Sequence, residues 1–400
     1  MDILSRSRLP AAGRRIVAAF STHATLRVVA FALGWRVFSS FLAFLSNVVF
    51  PLAQEEQFTV LGRTHPLWDS FARFDSGWYF GIARYGYEFV EGGRSNLAFF
   101  PLYPLLMRYV ALALGGGRRN VYLAGIIISW VAFVLACVLL YRLARHFVAD
   151  REAEQAVVYT SVFPFAFFYG VVYSESLYLL LLVASFLAFR NKRWLLGGLA
   201  GAALSATRVN GIVALPALAW VAWQAAGHDR LDRRRALLAA AMVPLGIGLY
   251  ALYVYSVSGS FLEWMHSIER WNYHPGGPPW TPIVNLLAPL LTGPYTFVTE
   301  ARGSTYDLLN GMAVIFALAT LPIVKTRLGW PYVLLILGNL WLPLSSGVLE
   351  GTGRYCSVLF PTFIALGATK PLLSRQAILV AFAALYMICQ ALFINLHPLF

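Results

Sequence analysis

Apolar runs close to the length of a membrane crossing recur from one end of this chain to the other. They fall at 28–50, 121–141, 156–173, 175–189, 195–207, 211–226, 236–257, 305–324, 329–348, 355–369 and 376–396. Spans of ~20 residues at each of these places would take up ~220 residues, which fits within 400 and leaves the rest for loops. Charged side chains make up 12% of the chain, about half the share of a typical soluble domain. The pattern predicts an all-helical polytopic membrane protein of one domain over 1–400, with about 11 transmembrane helices, and excludes an ordinary soluble enzyme. A secreted disulfide scaffold is excluded too. Cys137, Cys356 and Cys389 lie in or beside apolar segments, in no metal or redox spacing, and read as small packing residues.

The formal charge of +13 would suggest nucleic acid in a soluble protein. In a membrane protein, Lys and Arg collect on cytoplasmic loops instead, so no nucleic-acid partner is expected. The run at 28–50 is too long for a signal-peptide core and is followed by no small-residue cleavage site. It is expected to be an uncleaved first span with its amino end in the cytoplasm. Two pairs of short runs are broken by Ser174-Glu175-Ser176 and by Arg208-Val209-Asn210-Gly211. Each pair is read as an in-and-out hairpin with its polar break at the outer end. With that parity, 19 Lys and Arg and six acids lie inside, 11 and 12 lie outside, and Arg36 sits within the first span. The stretch 97–114 is interrupted by Pro101 and Pro104 and is taken as interfacial or re-entrant. Residues 51–120 then form one long outer loop. A second, 258–304, is broken by His-Pro-Gly-Gly-Pro-Pro at 274–279.

The most informative stretch runs from Phe74 to Tyr87. Trp78, Ile82 and Tyr85 share one face of a short helix, Gly86 is a plausible stop, and Asp75 stands where an N-cap would. Trp and Tyr on that face suit a helix lying at the membrane–water interface. Asp75 reads either as a cap or as a general base above a membrane cavity, able to take the proton of an acceptor hydroxyl. Glu175 and Arg208, at the hairpin tips, read either as a structural ion pair or as part of a wet site in which Arg208 clamps a phosphate. Arg354, in Gly351-Thr352-Gly353-Arg354-Tyr355, reads as a second phosphate ligand or as a snorkelling side chain. Glu263, His266 and Arg270 share helical spacing, for which a solvated face is the simpler account than a metal site. Arg36 is expected to pair with another helix or point into a cavity. There is no P-loop and no dinucleotide fingerprint, so an amphiphile of the bilayer is a more natural substrate than a soluble nucleotide.

At these residues the sequence resembles the PIG-V mannosyltransferase family of the GT-C superfamily. The resemblance rests on Phe74-Asp75 with Ile82-Ala83-Arg84-Tyr85-Gly86-Tyr87, on Ala98-Phe99-Phe100-Pro101-Leu102-Tyr103-Pro104, and on Tyr173-Ser174-Glu175-Ser176-Leu177-Tyr178. Arg208-Val209-Asn210-Gly211 stands where the family usually shows Arg-Ser-Asn-Gly, and Arg354-Tyr355 with Phe360-Pro361 is a looser fifth element. The resemblance implies a GT-C fold with interfacial helices and a catalytic Asp in the first outer loop. It implies a polyprenyl-phosphate sugar donor, usually mannose, and one inverting displacement with no cofactor and no bound metal. Asp75 matches the catalytic Asp by position. Some members need a membrane partner subunit.

The expected reaction joins polyprenyl-phosphate mannose to a glycolipid, glycan or protein hydroxyl on the extracytoplasmic face. Asp75 acts as base, and Arg208 and Arg354 hold the donor phosphate. Tyr79, Tyr103, Glu175, Asn210 and Tyr355 are the candidates for holding the substrate. A count of 28 Arg against 3 Lys suggests a GC-rich bacterial genome and hence a bacterial cytoplasmic membrane. The rival readings are a flippase or other transporter of lipid-linked sugars, and a GT-C enzyme using another sugar.

Overall fold

Away from water, a backbone must satisfy its own polar groups, and a helix does so within one segment. The computed structural model describes residues 23–54, 65–271, 273–274, 276–300, 305–369 and 372–399. Among these described residues every regular element is a helix. Five helices are long and apolar enough to cross a membrane: Ala24–Val49, Arg118–Ala144, Arg230–Ser258, Tyr306–Arg327 and Ser374–Ile394. Shorter apolar helices, among them Trp194–Ser205, Asn210–Ala226 and Trp330–Leu344, pack between them. The basic amino end, with Arg6, Arg8, Arg14 and Arg15, lies outside the described residues.

The runs at 156–173 and 355–369 are each interrupted at a proline. The run at 156–173 is helical only as Asp150–Val162, and a 3-10 turn, Ala166–Gly170, follows. Phe163 precedes Pro164 and adopts φ −55°, ψ 141°, the extended conformation that a following proline imposes. Non-helical backbone at this depth needs protein around it; residues 161–179 are all buried. The run at 355–369 is likewise divided into Thr352–Ser357 and Phe360–Gly367, with Pro361 at the start of the second helix.

The helix Leu102–Ala113 occupies the stretch read as interfacial or re-entrant. Its 12 residues rise about 18 Å, short of the ~30 Å hydrocarbon core. Tyr103, Met107 and Ala111 face inward at helical spacing, against Arg118–Ala144 and Asp75–Tyr85. Helix Arg118–Ala144 is the central post, packing on Ala24–Val49, Leu102–Ala113 and Glu175–Arg190. Small residues set the closest approaches, as is common between membrane helices. A Cβ at Gly246 would lie 2.0 Å from the carbonyl oxygen of Ala202, so only glycine lets Leu245–Ser258 seat against Trp194–Ser205.

Arg36 is fully buried and does reach other helices. It donates to the Ala166 carbonyl (3.3 Å) and the Tyr386 hydroxyl (3.2 Å), and its guanidinium lies over the Phe133 ring. Glu263 is buried rather than solvated, which corrects the expectation for that helix. It holds Arg270 at 2.6 Å, and Arg270 in turn donates to the Gly93 carbonyl, so the trio ties the two long loops together.

Candidate active site

The site is built on a segment that the buried core holds in place. Residues 71–76 are stitched to the buried segment before Glu175: the Val172 amide donates to the Phe71 carbonyl (2.9 Å), and the Ser76 hydroxyl donates to the Val172 carbonyl (3.1 Å). Arg73, fully buried beside Asp69, donates to Asp69, to Asn47 and to the carbonyls of Asp69, Ala72 and Ile394. Phe74 then takes φ 46°, ψ −111°. A non-glycine residue in such a region costs of order 1–3 kcal/mol and persists only where its surroundings impose it. Here the Tyr173 hydroxyl imposes it from both sides, donating to the Arg73 carbonyl (3.3 Å) and accepting the Asp75 amide (3.2 Å).

Asp75 begins the helix Asp75–Tyr85 as its first residue, not as its cap. Phe74 holds the cap position, and no side chain caps the end. The Asp75 carboxylate instead accepts a hydrogen bond from Nη1 of Arg354 at 2.7 Å, across 279 positions of sequence. Gly86 does end the helix, at φ 94°. The inward face is Ser76, Tyr79, Ile82 and Ala83 rather than Trp78, Ile82 and Tyr85. Tyr85 is 79% exposed, because Tyr79 claims the inward position against Tyr103 and Tyr173.

Four charged side chains from separate parts of the chain meet here. Arg208 is ion-paired with Glu175, Arg354 Nε lies 3.9 Å from the same Glu175 oxygen, and Arg354 Nη1 holds Asp75. The structural pair read for Glu175 and Arg208 is therefore present, and Arg354 extends it to Asp75. The guanidiniums lie over aromatic rings, Arg208 over Tyr355 at 4.8 Å and Arg354 over Tyr173 at 5.5 Å. Gly353 permits the approach, since a Cβ there would sit 2.3 Å from the Phe165 ring. The cluster is not saturated: Glu175 Oε2 and Arg354 Nε are buried without a hydrogen-bond partner. Asp75 keeps 22% of its side chain exposed, against 1% for Glu175.

The remaining candidates separate. Tyr355 flanks Arg208. Tyr79 is buried, its hydroxyl 3.0 Å from that of Ser174, one residue from Glu175. Tyr103 does not face the cluster with a free hydroxyl. It is fully buried and bonded to the Gly125 carbonyl (3.1 Å) and Ser129 (2.8 Å), so the expectation that it holds a sugar gives way to a packing role. The Asn210 amide nitrogen donates to Asn339 of a neighbouring helix at 3.1 and 3.2 Å, while its Oδ1 is buried without a partner. Sequence reasoning missed Tyr173, although it stands in the Tyr173-Ser174-Glu175 motif, and it missed Glu350 and Tyr273. Tyr273 brings the second long loop, and Glu350 the turn before Gly351, within electrostatic reach of Arg354 and Asp75. Burial raises the Glu350 carboxyl above the ordinary carboxylate range, while Arg354 and a hydrogen bond to Tyr273 pull the other way. Burial likewise raises the Tyr273 hydroxyl.

Such a bundle, with a charged cluster assembled at the start of a short loop helix, is the GT-C fold. Solved structures share it. ArnT from Cupriavidus metallidurans, bound to undecaprenyl phosphate, matches with a TM-score of 0.50 at 12% identity, over 92% of this chain and 77% of that one. The Archaeoglobus fulgidus oligosaccharyltransferase in its apo form matches with a TM-score of 0.46 at 14% identity, over 92% of this chain. This chain covers 56% of the length of that oligosaccharyltransferase. No curated protein sequence matches the chain. The model of the family Mannosyltransferase (PIG-V) matches residues 26–253, and the chain belongs to that family.

Proposed function

We propose that the protein transfers a mannosyl residue from a polyprenyl-phosphate donor to an acceptor hydroxyl, with inversion, on the extracytoplasmic face of the membrane. The observation that carries this reading is the Asp75–Arg354 contact, joined to Glu175 and Arg208. It sets a carboxylate beside two guanidiniums, which is what a displacement at a sugar–phosphate bond needs. The acceptor oxygen bonds to the anomeric carbon as the bond from that carbon to the phosphate oxygen breaks. The hydroxyl proton goes to the Asp75 carboxylate, and polyprenyl phosphate leaves. The transition state has oxocarbenium character, as in other glycosyl transfers. Arg354 and Arg208 are fixed over aromatic rings before the reaction, so they stabilise the growing phosphate charge without reorganising. Glu175 orients both guanidiniums, and no metal is required. The undecaprenyl phosphate in the similarly folded ArnT structure and the match to a mannosyltransferase family support a lipid-phosphate carrier and mannose.

The test is transfer from polyprenyl-phosphate mannose to a lipid extract of the source membrane, by wild type and Asp75→Asn in parallel. Removing the base should cut the rate about 10²–10⁴-fold with unchanged melting. A variant within a few-fold of wild type refutes Asp75 as base. Donor movement across the membrane with the sugar–phosphate bond intact refutes the transferase.

A further inference from the structure

Glu350, four residues before Arg354, lines a cavity of about 730 Å³ that the reaction as described leaves unused. The second long loop forms one wall through the helix Thr281–Thr292 and its successor Pro294–Glu300, and the turn before Gly351 forms the other. Asn285, Thr292 and Thr296 offer polar groups, Phe297 offers a ring, and Asp307 and Glu350 offer carboxylates. Among the described residues its lining includes no Lys, Arg or His.

Glu350 connects the cavity to the chemistry. Gly351, in a left-handed conformation with φ 72°, turns the chain from Glu350 into the short helix that carries Arg354. The charges of Arg354, Asp307 and Asp75 all act on Glu350. Asp75 therefore acts on two surroundings of opposite charge, the guanidinium that holds it and the Glu350 carboxylate of the cavity. The reaction requires such a division. The donor brings a phosphate, which the guanidiniums attract, and the acceptor must reach Asp75 from elsewhere.

Resting on the proposed transferase reading, we infer that this cavity is the acceptor subsite and that it takes a neutral, hydroxyl-rich head group while excluding an anionic one. Carboxylates accept hydrogen bonds from sugar hydroxyls, and Asn285 and the two threonines both donate and accept. Phe297, Leu286 and the prolines at 282 and 289 give the apolar surface that the C–H face of a sugar covers. A phosphate or carboxylate on the acceptor would meet Asp307 and Glu350 at close range with no cation among the described lining residues to offset them. That like-charge contact is the source of selectivity.

Two probes differing by one charge test this: decyl glucoside and decyl glucuronide, whose sugar carries a carboxylate. Binding to the full-length protein in nanodiscs is read by saturation-transfer NMR of the sugar protons, after subtraction of empty discs. Wild type should bind the glucoside about tenfold more tightly than the glucuronide. The isosteric Asp307→Asn/Glu350→Gln variant should lose that preference and keep its affinity for undecaprenyl phosphate within about twofold. Equal binding of both probes by wild type, binding of neither, or a preference that survives in the double variant overturns the inference. So does a tenfold fall in undecaprenyl-phosphate affinity, which would give the cavity to the donor. Binding needs no turnover, so these outcomes stand even if polyprenyl-phosphate mannose proves not to be the donor.

Discussion

Two acid–arginine clusters have their acids six residues apart in the first long loop, Asp69 and Asp75, and they are built to opposite specifications. Asp69 and Arg73 pair at 2.7 Å with both side chains fully buried. The Arg73 guanidinium spends its donors on Asp69, Asn47 and three backbone carbonyls. Asp75 and Arg354 also pair at 2.7 Å, but they keep 22% and 13% of their side chains exposed, and Arg354 Nε and Glu175 Oε2 have no hydrogen-bond partner. The first cluster is sealed from solvent with every Arg73 nitrogen bonded, Asp69 Oδ1 alone being left without a partner, and it fixes the backbone. The second leaves donors and a carboxylate unspent beside space. The guanidinium tells the two pairs apart: every Arg73 nitrogen is bonded while Arg354 Nε is not, and Asp75 reaches solvent where Asp69 does not.

The largest effect should come from unbalancing the sealed pair. Arg73→Met strands the Asp69 carboxylate in a sealed site, which should destabilise the protein by about 3–5 kcal/mol. Adding Asp69→Asn should return part of that loss, because the uncompensated charge disappears. Denaturation of the protein in nanodiscs measures both. If Arg73→Met melts with wild type, the pair is not the fixed point claimed here.

Next in size is the contrast at Arg354. Arg354→Gln should slow transfer about 10²–10³-fold and weaken polyprenyl-phosphate binding, with a smaller stability loss than Arg73→Met, because Asp75 remains partly solvated. Lys should not rescue it, since an ammonium lacks the fork that serves Asp75 and a phosphate together. Equal stability losses at Arg73 and Arg354, with transfer intact, would erase the distinction between the clusters.

A smaller effect sharpens the link between the two. Tyr173→Phe removes the hydroxyl that grips both Arg73 and Asp75. Loss of those bonds should lower kcat about threefold to tenfold and leave the KM for the donor alone, since the Tyr173 hydroxyl is spent on the Arg73 carbonyl and the Asp75 amide. A change confined to KM would instead make it a binding residue.

Much of this was legible in the sequence, and the exceptions have physical causes. The helical class follows from the apolar runs, and the prolines that interrupt two of them were visible at 164 and 361. Asp75, Glu175, Arg208 and Arg354 stood out because charge is rare in such a chain, and all four converge. Tyr103 was misplaced because its partners are Gly125 and Ser129 on another helix, and sequence spacing carries no sign of them. The bond from Asn210 to Asn339 is likewise invisible to sequence spacing. Asp69–Arg73 is an ordinary helical spacing in a loop, and nothing local marks it as sealed. Glu350 lies in a turn with no motif around it, and its place between Asp307 and Arg354 exists only in the folded chain.

Glu350 gives the smallest effect, and its sign is fixed. Burial raises its carboxyl above the value expected in the unfolded chain, with the Arg354 charge opposing. The folded state therefore holds the proton more tightly than the unfolded state. Stability falls as pH rises through that interval, and the penalty is complete once the carboxyl has ionised in the fold. Glu350→Gln removes the penalty, so it should raise the melting temperature slightly at neutral pH and not below the unfolded carboxyl's range. Solvent reaching the side chain keeps the gain small. A gain of the same size at both pH values would mean that packing, not charge, is responsible. A loss at neutral pH would mean that the attraction of Arg354 outweighs burial, and Glu350 would then belong with Asp75 among the partners of the guanidiniums rather than to the wall opposite them.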